Sequence, residues 1–254
     1  MWFLFSPSEK KHLHHPKETL NTARFYDNFL AQNLQEVLEK YASYLQTSND
    51  YAIQKLFGTK HIPLEELALA QNILNSPIVD SILRYSGVAY KALDFLALNT
   101  KEQNYLKQRV LIFSNLFGIL RAEDKIPYYD LKQGEGFLDF DTKNFYKQNR
   151  ANFLNFLNKE KEILDLRAGF YQKCLELPQD FIIYEPIFLK NSKVVSHYAK
   201  HYRGILLKEC AKSQLQSLND LKNLEIQGLK LLNIDTKTIK NIQKNFLTYE
   251  VKND

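Results

Sequence analysis

Met1-Trp2-Phe3-Leu4-Phe5-Ser6-Pro7-Ser8-Glu9-Lys10-Lys11 opens the chain with a run of large apolar residues that stops at Ser-Pro. The run is too short for a helix and has the length of a buried strand. Its end delivers Ser6 to Lys11 into a loop. A lysine just past a strand end, in a loop with serines and Glu9, suits an anion or substrate. The apolar start lacks the charged lead and longer core of a signal peptide. No run approaches the roughly 20 apolar residues that a bilayer span needs. The expected location is cytoplasmic, with no membrane partner.

Beyond this strand, helical and strand-like patterns mix without a regular β-α-β period. Spacing predicts helices over 22–45, 49–57, 63–74, 89–96, 100–109, 144–161 and 199–212. Short strands are expected over 82–85, 110–113, 163–166, 181–190 and 193–196, the last two joined at Asn191-Ser192. Residues 116–121 read as a turn or short helix around Gly118, and 127–136 as a strand or loop. The C-terminal region reads as two helices, 215–223 and 235–246, around a strand-like 228–232. The expected fold is α/β (mixed α+β), a central mixed sheet wrapped by helices. With 254 residues and eight glycines, seven prolines and no low-complexity tract, it is read as a single domain over 1–254.

Composition is that of a globular chain, 44% hydrophobic and 25% charged. The two cysteines, Cys174 and Cys210, have neither a Cys-X-X-Cys spacing nor metal-ligand neighbours and read as free thiols. Charge is unevenly placed. From Phe188 to Lys212, Lys190, Lys193, Lys200, Arg203, Lys208 and Lys212 face Glu209 alone, a net of +5 that equals the formal net charge of the whole chain. On a helix, His197, Lys200 and Arg203 follow at i, i+3 and share one face. Like charges on one face repel, so a polyanion is a natural partner, although a solvated basic face gives the same pattern.

Other segments carry weaker signals. His12, His14 and His15 fit no strong metal-ligand spacing; they read as an exposed polar loop, with direct iron binding the weaker alternative, and no metal or cofactor is expected. Gly118 within Ser114-Asn115-Leu116-Phe117-Gly118-Ile119-Leu120-Arg121 suggests a tight hairpin or close backbone approach. The same segment can be half of a helix-hairpin-helix, which meets DNA backbone, or plain core. Asp165 and Arg167, before Gly169 and Tyr171, are either a structural ion pair beside a turn or polar groups at the mouth of a cleft.

In this order the segments resemble the YaaA family of peroxide-stress proteins. Ser6 to Lys11 is similar to the family's Ser-Pro-Ser-Glu-Gly-Lys. Arg84-Tyr85-Ser86-Gly87-Val88-Ala89-Tyr90 with Leu93 is similar to its Tyr-x-Gly-x-x-Tyr-x-x-Leu. Ser114 to Arg121 with Asp124 resembles Ser-Gly-Leu-Tyr-Gly-Val-Leu-Arg-Pro-x-Asp. Asp165 to Tyr171 resembles Asp-Leu-Arg-Ser-Gly-x-Tyr, and Ser196 to Gly204 resembles Ser-x-x-x-Lys-x-x-(Arg/Lys)-Gly. The resemblance implies a compact α/β domain with a basic cleft, DNA binding partly through a helix-hairpin-helix, and a role in limiting iron-driven peroxide damage. Carried onto this chain, Lys11, Arg121, Lys200 and Arg203 become cleft candidates, with Ser6, Tyr90, Asp165, Arg167 and Tyr171 as support.

The chain departs from the family pattern at Asp130, where an arginine is usual, and at Asn115, where glycine is usual. Trp2 is its sole tryptophan. Lys132 lies two residues after Asp130, on the same side of a strand, and is expected to restore the missing charge. On that reading Asp130→Arg tightens anion binding and Lys132→Ala weakens it.

Two functions follow. One is a stress protein that binds DNA without sequence specificity, with no catalysis assigned, through Lys11, Arg121, Lys132, His197, Lys200 and Arg203. The other is an enzyme acting on a nucleotide or other phosphate-bearing small molecule. A wide open basic groove favours the first. A closed pocket of roughly 300–1,000 Å³ with convergent polar groups favours the second.

Overall fold

A computed structural model describes residues 1–13, 30–195, 198–239 and 241–252. In chain order the strands are β1 (Trp2–Phe5), β2 (Val79–Asp80), β3 (Val110–Ser114), β4 (Gly118–Arg121), β5 (Lys125–Ile126), β6 (Gly136–Phe137), β7 (Phe140–Asp141), β8 (Glu162–Leu166), β9 (Ile182–Lys190), β10 (Lys193–Val194), β11 (Leu229–Ile239) and β12 (Ile242–Val251). The helices are α1 (Leu34–Thr47), α2 (Asp50–Phe57), α3 (Leu64–Gln71), α4 (Ser81–Arg84), α5 (Val88–Leu93), α6 (Thr100–Arg109), α7 (Thr142–Gln148), α8 (Arg150–Leu157), α9 (Gly169–Cys174) and α10 (Ala199–Ser213). Short 3₁₀ turns cover Phe95–Ala97 and Leu218–Asn223.

The apolar opening run is an interior strand of the main sheet, whose order is β11-β12-β9-β8-β1-β3-β4. β1 pairs in parallel with β3 on one side and β8 on the other, with Phe3 opposite both Val110 and Leu164. β9 continues the parallel run from β8, and β12 from β9. The outer strands β4 and β11 are antiparallel to their neighbours.

Side chains alternate across the sheet, as a pleated strand requires. Phe3, Phe5, Ile112, Leu164 and Leu166 join the core beneath α1, α6 and α10. Leu4, Leu111, Phe113 and Ile163 join the core beneath α8 and α9 on the opposite face. Both faces are therefore dry, which explains why β1 and β3 read as unbroken apolar runs.

Local chemistry sets several element ends. Asn99 accepts from the Glu102 amide at 3.0 Å while Glu102 accepts from the Asn99 amide at 2.9 Å, a reciprocal cap that starts α6. Gly58 closes α2 with φ +69°, a left-handed conformation that glycine adopts without strain. Cys174 and Cys210 are free and buried.

Four expectations are corrected. Residues 82–85 form the helical turn α4 and its end, because Ser81 and Ile82 donate to the Asp124 and Ala122 carbonyls at the turn's start. Ser114 to Arg121 is not half of a helix-hairpin-helix; β3 turns tightly and returns as β4, with Ser114 opposite Gly118. Residues 215–223 shorten to a 3₁₀ turn capped by Ser217 and Asp220. Residues 235–246 are not a helix but the hairpin β11–β12, in which Asp235 pairs with Phe246 and Ile239 with Ile242. Asn241, at φ +63°, makes the reversal, and the β-branched Ile234, Thr236, Thr238 and Ile239 suit a strand.

α10 crosses closely over α5. A Cβ built on Gly204 would lie 2.1 Å from the Ala89 carbonyl oxygen, so glycine is what lets the two helices meet. Gly204→Ala is expected to destabilise the fold by about 1–3 kcal/mol through overpacking. Thermal melts check it; a melting temperature equal to the parent's shows that the crossing tolerates a methyl group.

Candidate functional site

The parallel strands end on one edge of the sheet. From β1 the chain passes to β3 on one side, and it later returns to β8 on the other. The gap between the carboxyl ends of β1 and β8 is thus a switch point of the strand order, where open α/β sheets hold ligands. A cavity of about 430 Å³ lies there, bounded by Phe5 to Lys10 after β1, Leu166, Ala168 and Tyr171 after β8, Ser86 to Lys91, and Lys200 and Arg203 of α10.

The loop after β1 is firmly held. Ser6 Oγ accepts the Ala168 amide at 2.7 Å, and Tyr90 Oη donates to the Ser6 carbonyl at 2.9 Å. The Ser86 amide donates to the Lys10 carbonyl and the His12 amide to the Arg84 carbonyl, so the loop runs beside residues 84–86. A Cβ on Gly87 would sit 2.1 Å from Ser8 Oγ. Glycine there allows the loop to approach the start of α5.

Charge at the cavity is one-sided. Lys10, Lys91, Lys200 and Arg203 line it against Glu9. Lys10, Lys91 and Lys200 are exposed and have no ion pair among the described residues. Tyr90 and Tyr171 stay neutral, their hydroxyls pushed well up by burial. Arg203 is the exceptional group. Its Nε is buried without a hydrogen-bond partner among the described residues. Burial lowers its pKa, and Asp165 and Glu185 oppose that only through longer-range attraction. Both carboxylates already have cations of their own, Arg167 and Lys244, each at 2.8 Å.

The cavity therefore brings together Ser6, Tyr90, Tyr171, Lys200 and Arg203 of the sequence candidates. The others lie elsewhere. Lys11 is buried beneath the loop, 3.6 Å from Asp130 and over the Tyr129 ring at 4.4 Å, and donates to the Glu9 carbonyl at 2.9 Å. Burial lowers its pKa against the pull of Asp130. Arg121 faces Asp124 at 3.8 Å and the Phe156 ring. Lys132 faces Glu135 at 3.9 Å and packs its stem over Gly58. Asp130 takes Lys11 as its partner. His197, with His14 and His15, lies outside the described residues. Among the described residues no group of three or more His, Cys, Asp or Glu is placed to hold a metal.

Asp165 and Arg167 form an ion pair, each side chain 2% exposed. Arg167 Nε and Nη2 reach the two carboxylate oxygens at 2.8 Å each, and Nη1 reaches the Tyr171 and Leu175 carbonyls. The guanidinium also stacks on Phe113 at 4.4 Å. The pair fastens α9, and hence Tyr171, to the end of β8.

Lys10 and Lys91 are the lining cations that sequence reasoning missed. Each stands beside a residue that was singled out, Lys11 and Tyr90. The signal available was adjacency, and it does not say which neighbour turns inward.

Removing the partner of Lys11 tests the buried pair. Asp130→Ala is expected to destabilise by about 1–3 kcal/mol, because the buried Lys11 ammonium loses its carboxylate and keeps only the Glu9 carbonyl as acceptor. The figure stays modest because Lys11, with its lowered pKa, loses its proton more readily than an ordinary lysine. Denaturant titration reads it; a midpoint matching the parent's shows that Lys11 relaxes to water.

An α/β protein with a ligand-sized cavity at the switch point of its sheet is the class defined by this geometry. Residues 1–234 match the family described as peroxide stress protein YaaA, and the chain belongs to that family. An uncharacterized protein of Campylobacter jejuni is 40% identical over 240 residues, covering 94% of this chain and 96% of its own. A UPF0246 protein of Fusobacterium nucleatum is 28% identical over 167 residues, 63% of this chain and 66% of that one. A UPF0246 protein of Corynebacterium efficiens is 36% identical over 152 residues, 58% and 60% of the two chains. Among the described residues no helix is long and apolar enough to cross a membrane.

Proposed function

We propose that this member of the peroxide-stress family works by binding a phosphate-bearing ligand in the cavity between the ends of β1 and β8. The carrying observation is Arg203, a mostly buried guanidinium whose Nε has no partner among the described residues. A buried donor without an acceptor is costly to fold and calls for an explanation. Arg203 lines the cavity, and an anion there would give its guanidinium a counter-charge and acceptors that the described residues do not, in a planar geometry that suits a phosphate. Lys10, Lys91 and Lys200 add charge at the rim, while Phe5, Val88 and Leu166 offer apolar wall to the rest of a small molecule. A volume of about 430 Å³ falls in the usual range for small-molecule sites. No reaction is assigned.

DNA is the second reading, favoured by the exposure of Lys10, Lys91 and Lys200 at the mouth. Here the mouth acts as a basic cleft that meets phosphates without reading bases. In the cell either ligand serves the same expected end, limiting iron-driven peroxide damage.

One titration separates the readings. Purified protein is measured against a nucleotide panel, duplex DNA and bubble DNA at several salt concentrations. The cavity reading expects saturable one-to-one nucleotide binding that Arg203→Ala weakens by about 10- to 100-fold. The DNA reading expects a log–log salt slope near −0.9 for each phosphate contacted on duplex. Absence of nucleotide binding alongside a steep DNA salt slope that Arg203→Ala leaves unchanged rejects the cavity reading.

A further inference from the structure

We infer that the ligand of this cavity presents a terminal phosphate, a monoester and not an internal diester; this rests on the phosphate-site reading above. The argument begins with charge. Lys10, Lys91, Lys200 and Arg203 against Glu9 leave three positive charges on the lining. None of the four cations has an ion-pair partner among the described residues, so their charge is directed at whatever enters. An internal phosphodiester brings one negative charge. A phosphate monoester brings about 1.5 to 2 at neutral pH, with three acceptor oxygens free. The second charge and the third oxygen are what distinguish the two ligands at a site already in cationic excess.

Geometry points the same way. Phe5 and Leu166, the last residues of β1 and β8, are buried in the lining with Tyr90 and Tyr171. The cavity thus backs onto the ends of the central strands. Ser6 is tied to Ala168 and Tyr90, which holds the loop after β1 against the segment after β8. A group that ends at its phosphate enters such a recess from one side. An internal diester carries a sugar on both sides of the phosphate and asks for room on both. The Arg203 guanidinium adds a fork that two oxygens of one phosphate can fill together.

The chemistry has two sources, a free nucleoside monophosphate and the 5′-phosphorylated end of a nucleic-acid strand. Calorimetry at fixed ionic strength distinguishes them. The probes are adenosine 5′-monophosphate, its methyl phosphodiester, adenosine, and one short single strand with and without a 5′-phosphate. The monophosphate is expected to bind about tenfold or more tighter than its methyl ester, and adenosine not at all. The phosphorylated strand is expected to exceed the unphosphorylated strand by a similar factor. Whichever monoester binds tighter identifies the source. Arg203→Ala should abolish the preference, Arg203→Lys should restore part of it, and Lys200→Ala, an exposed change, should reduce affinity in a protein that folds as the parent does.

Equal affinity for the monoester and its methyl ester overturns the terminal-phosphate inference while leaving an anion site in place. Failure of every phosphate probe to bind overturns the inference and the phosphate-site reading together.

Discussion

Arg203→Ala is expected to weaken phosphate binding by about 10- to 100-fold, the worth of a hydrogen bond to a charged group. The melting temperature should stay the same or rise. Most buried cations lose stability when they are truncated, because a partner carboxylate is stranded. Among the described residues Arg203→Ala strands no carboxylate, since Asp165 and Glu185 keep Arg167 and Lys244. What the substitution removes is a charge that burial already disfavours, as its lowered pKa records. The aliphatic stem does pack, so alanine loses some contact area. Arg203→Met keeps that stem and is the cleaner comparison. It should match alanine in lost binding and exceed it in melting temperature. Paired calorimetry and thermal melts decide the matter. A variant that melts far below the parent while binding normally would assign Arg203 to the fold and not to a ligand.

Asp165→Ala should have the largest effect on stability, a loss of about 3–5 kcal/mol. It leaves Arg167, 2% exposed, without the two carboxylate oxygens that hold its Nε and Nη2. The remaining bonds to the Tyr171 and Leu175 carbonyls cannot neutralise a buried cation. Because Tyr171 lines the cavity, ligand affinity should fall with stability. Adding Arg167→Met should recover much of the lost stability, since replacing both partners with apolar volume removes the stranded charge.

The pH dependence has a definite sign. Burial raises the Asp165 carboxyl, but the attraction and hydrogen bonds of Arg167 outweigh it and hold the pKa below the ordinary carboxylate value. A depressed carboxylate contributes stability that is present above its unfolded pKa, about 3.9, and lost as pH falls through the folded value. The gap between parent and Asp165→Ala should therefore be constant near neutrality and shrink below about pH 4. Denaturant midpoints taken across that range read it. A gap that closes between pH 5 and 7 would assign the dependence to another group.

Much of the framework was legible in the residues themselves. Trp2 to Phe5 and Val110 to Phe113 are unbroken apolar runs, and only a strand covered on both faces tolerates them. Asn49 and Gly58 bracket α2, and Asn99 with Glu102 starts α6, because capping chemistry acts within a few residues of the element it ends. The spaced motifs brought Ser6, Tyr90, Tyr171, Lys200 and Arg203 to attention, and the structure gathers those five around one cavity. Pairing between distant segments was not legible. The Leu, Ile and Thr of 229–251 fit a helix or a strand equally by spacing. What makes them strands is β9, whose edge receives β12 in parallel, and a sheet edge some sixty residues away in sequence leaves no mark on local periodicity. The partners of charged residues belong to the same category. Asp130 meets Lys11 and Asp165 meets Arg167 because burial removes the competing water, and burial is a property of the packed molecule. The sequence alone determined that a basic helix would begin near Ala199. Only tertiary structure decided which cations remain unpaired there, since Gly204 brings α10 against α5 and leaves Arg203 facing a cavity in place of a carboxylate.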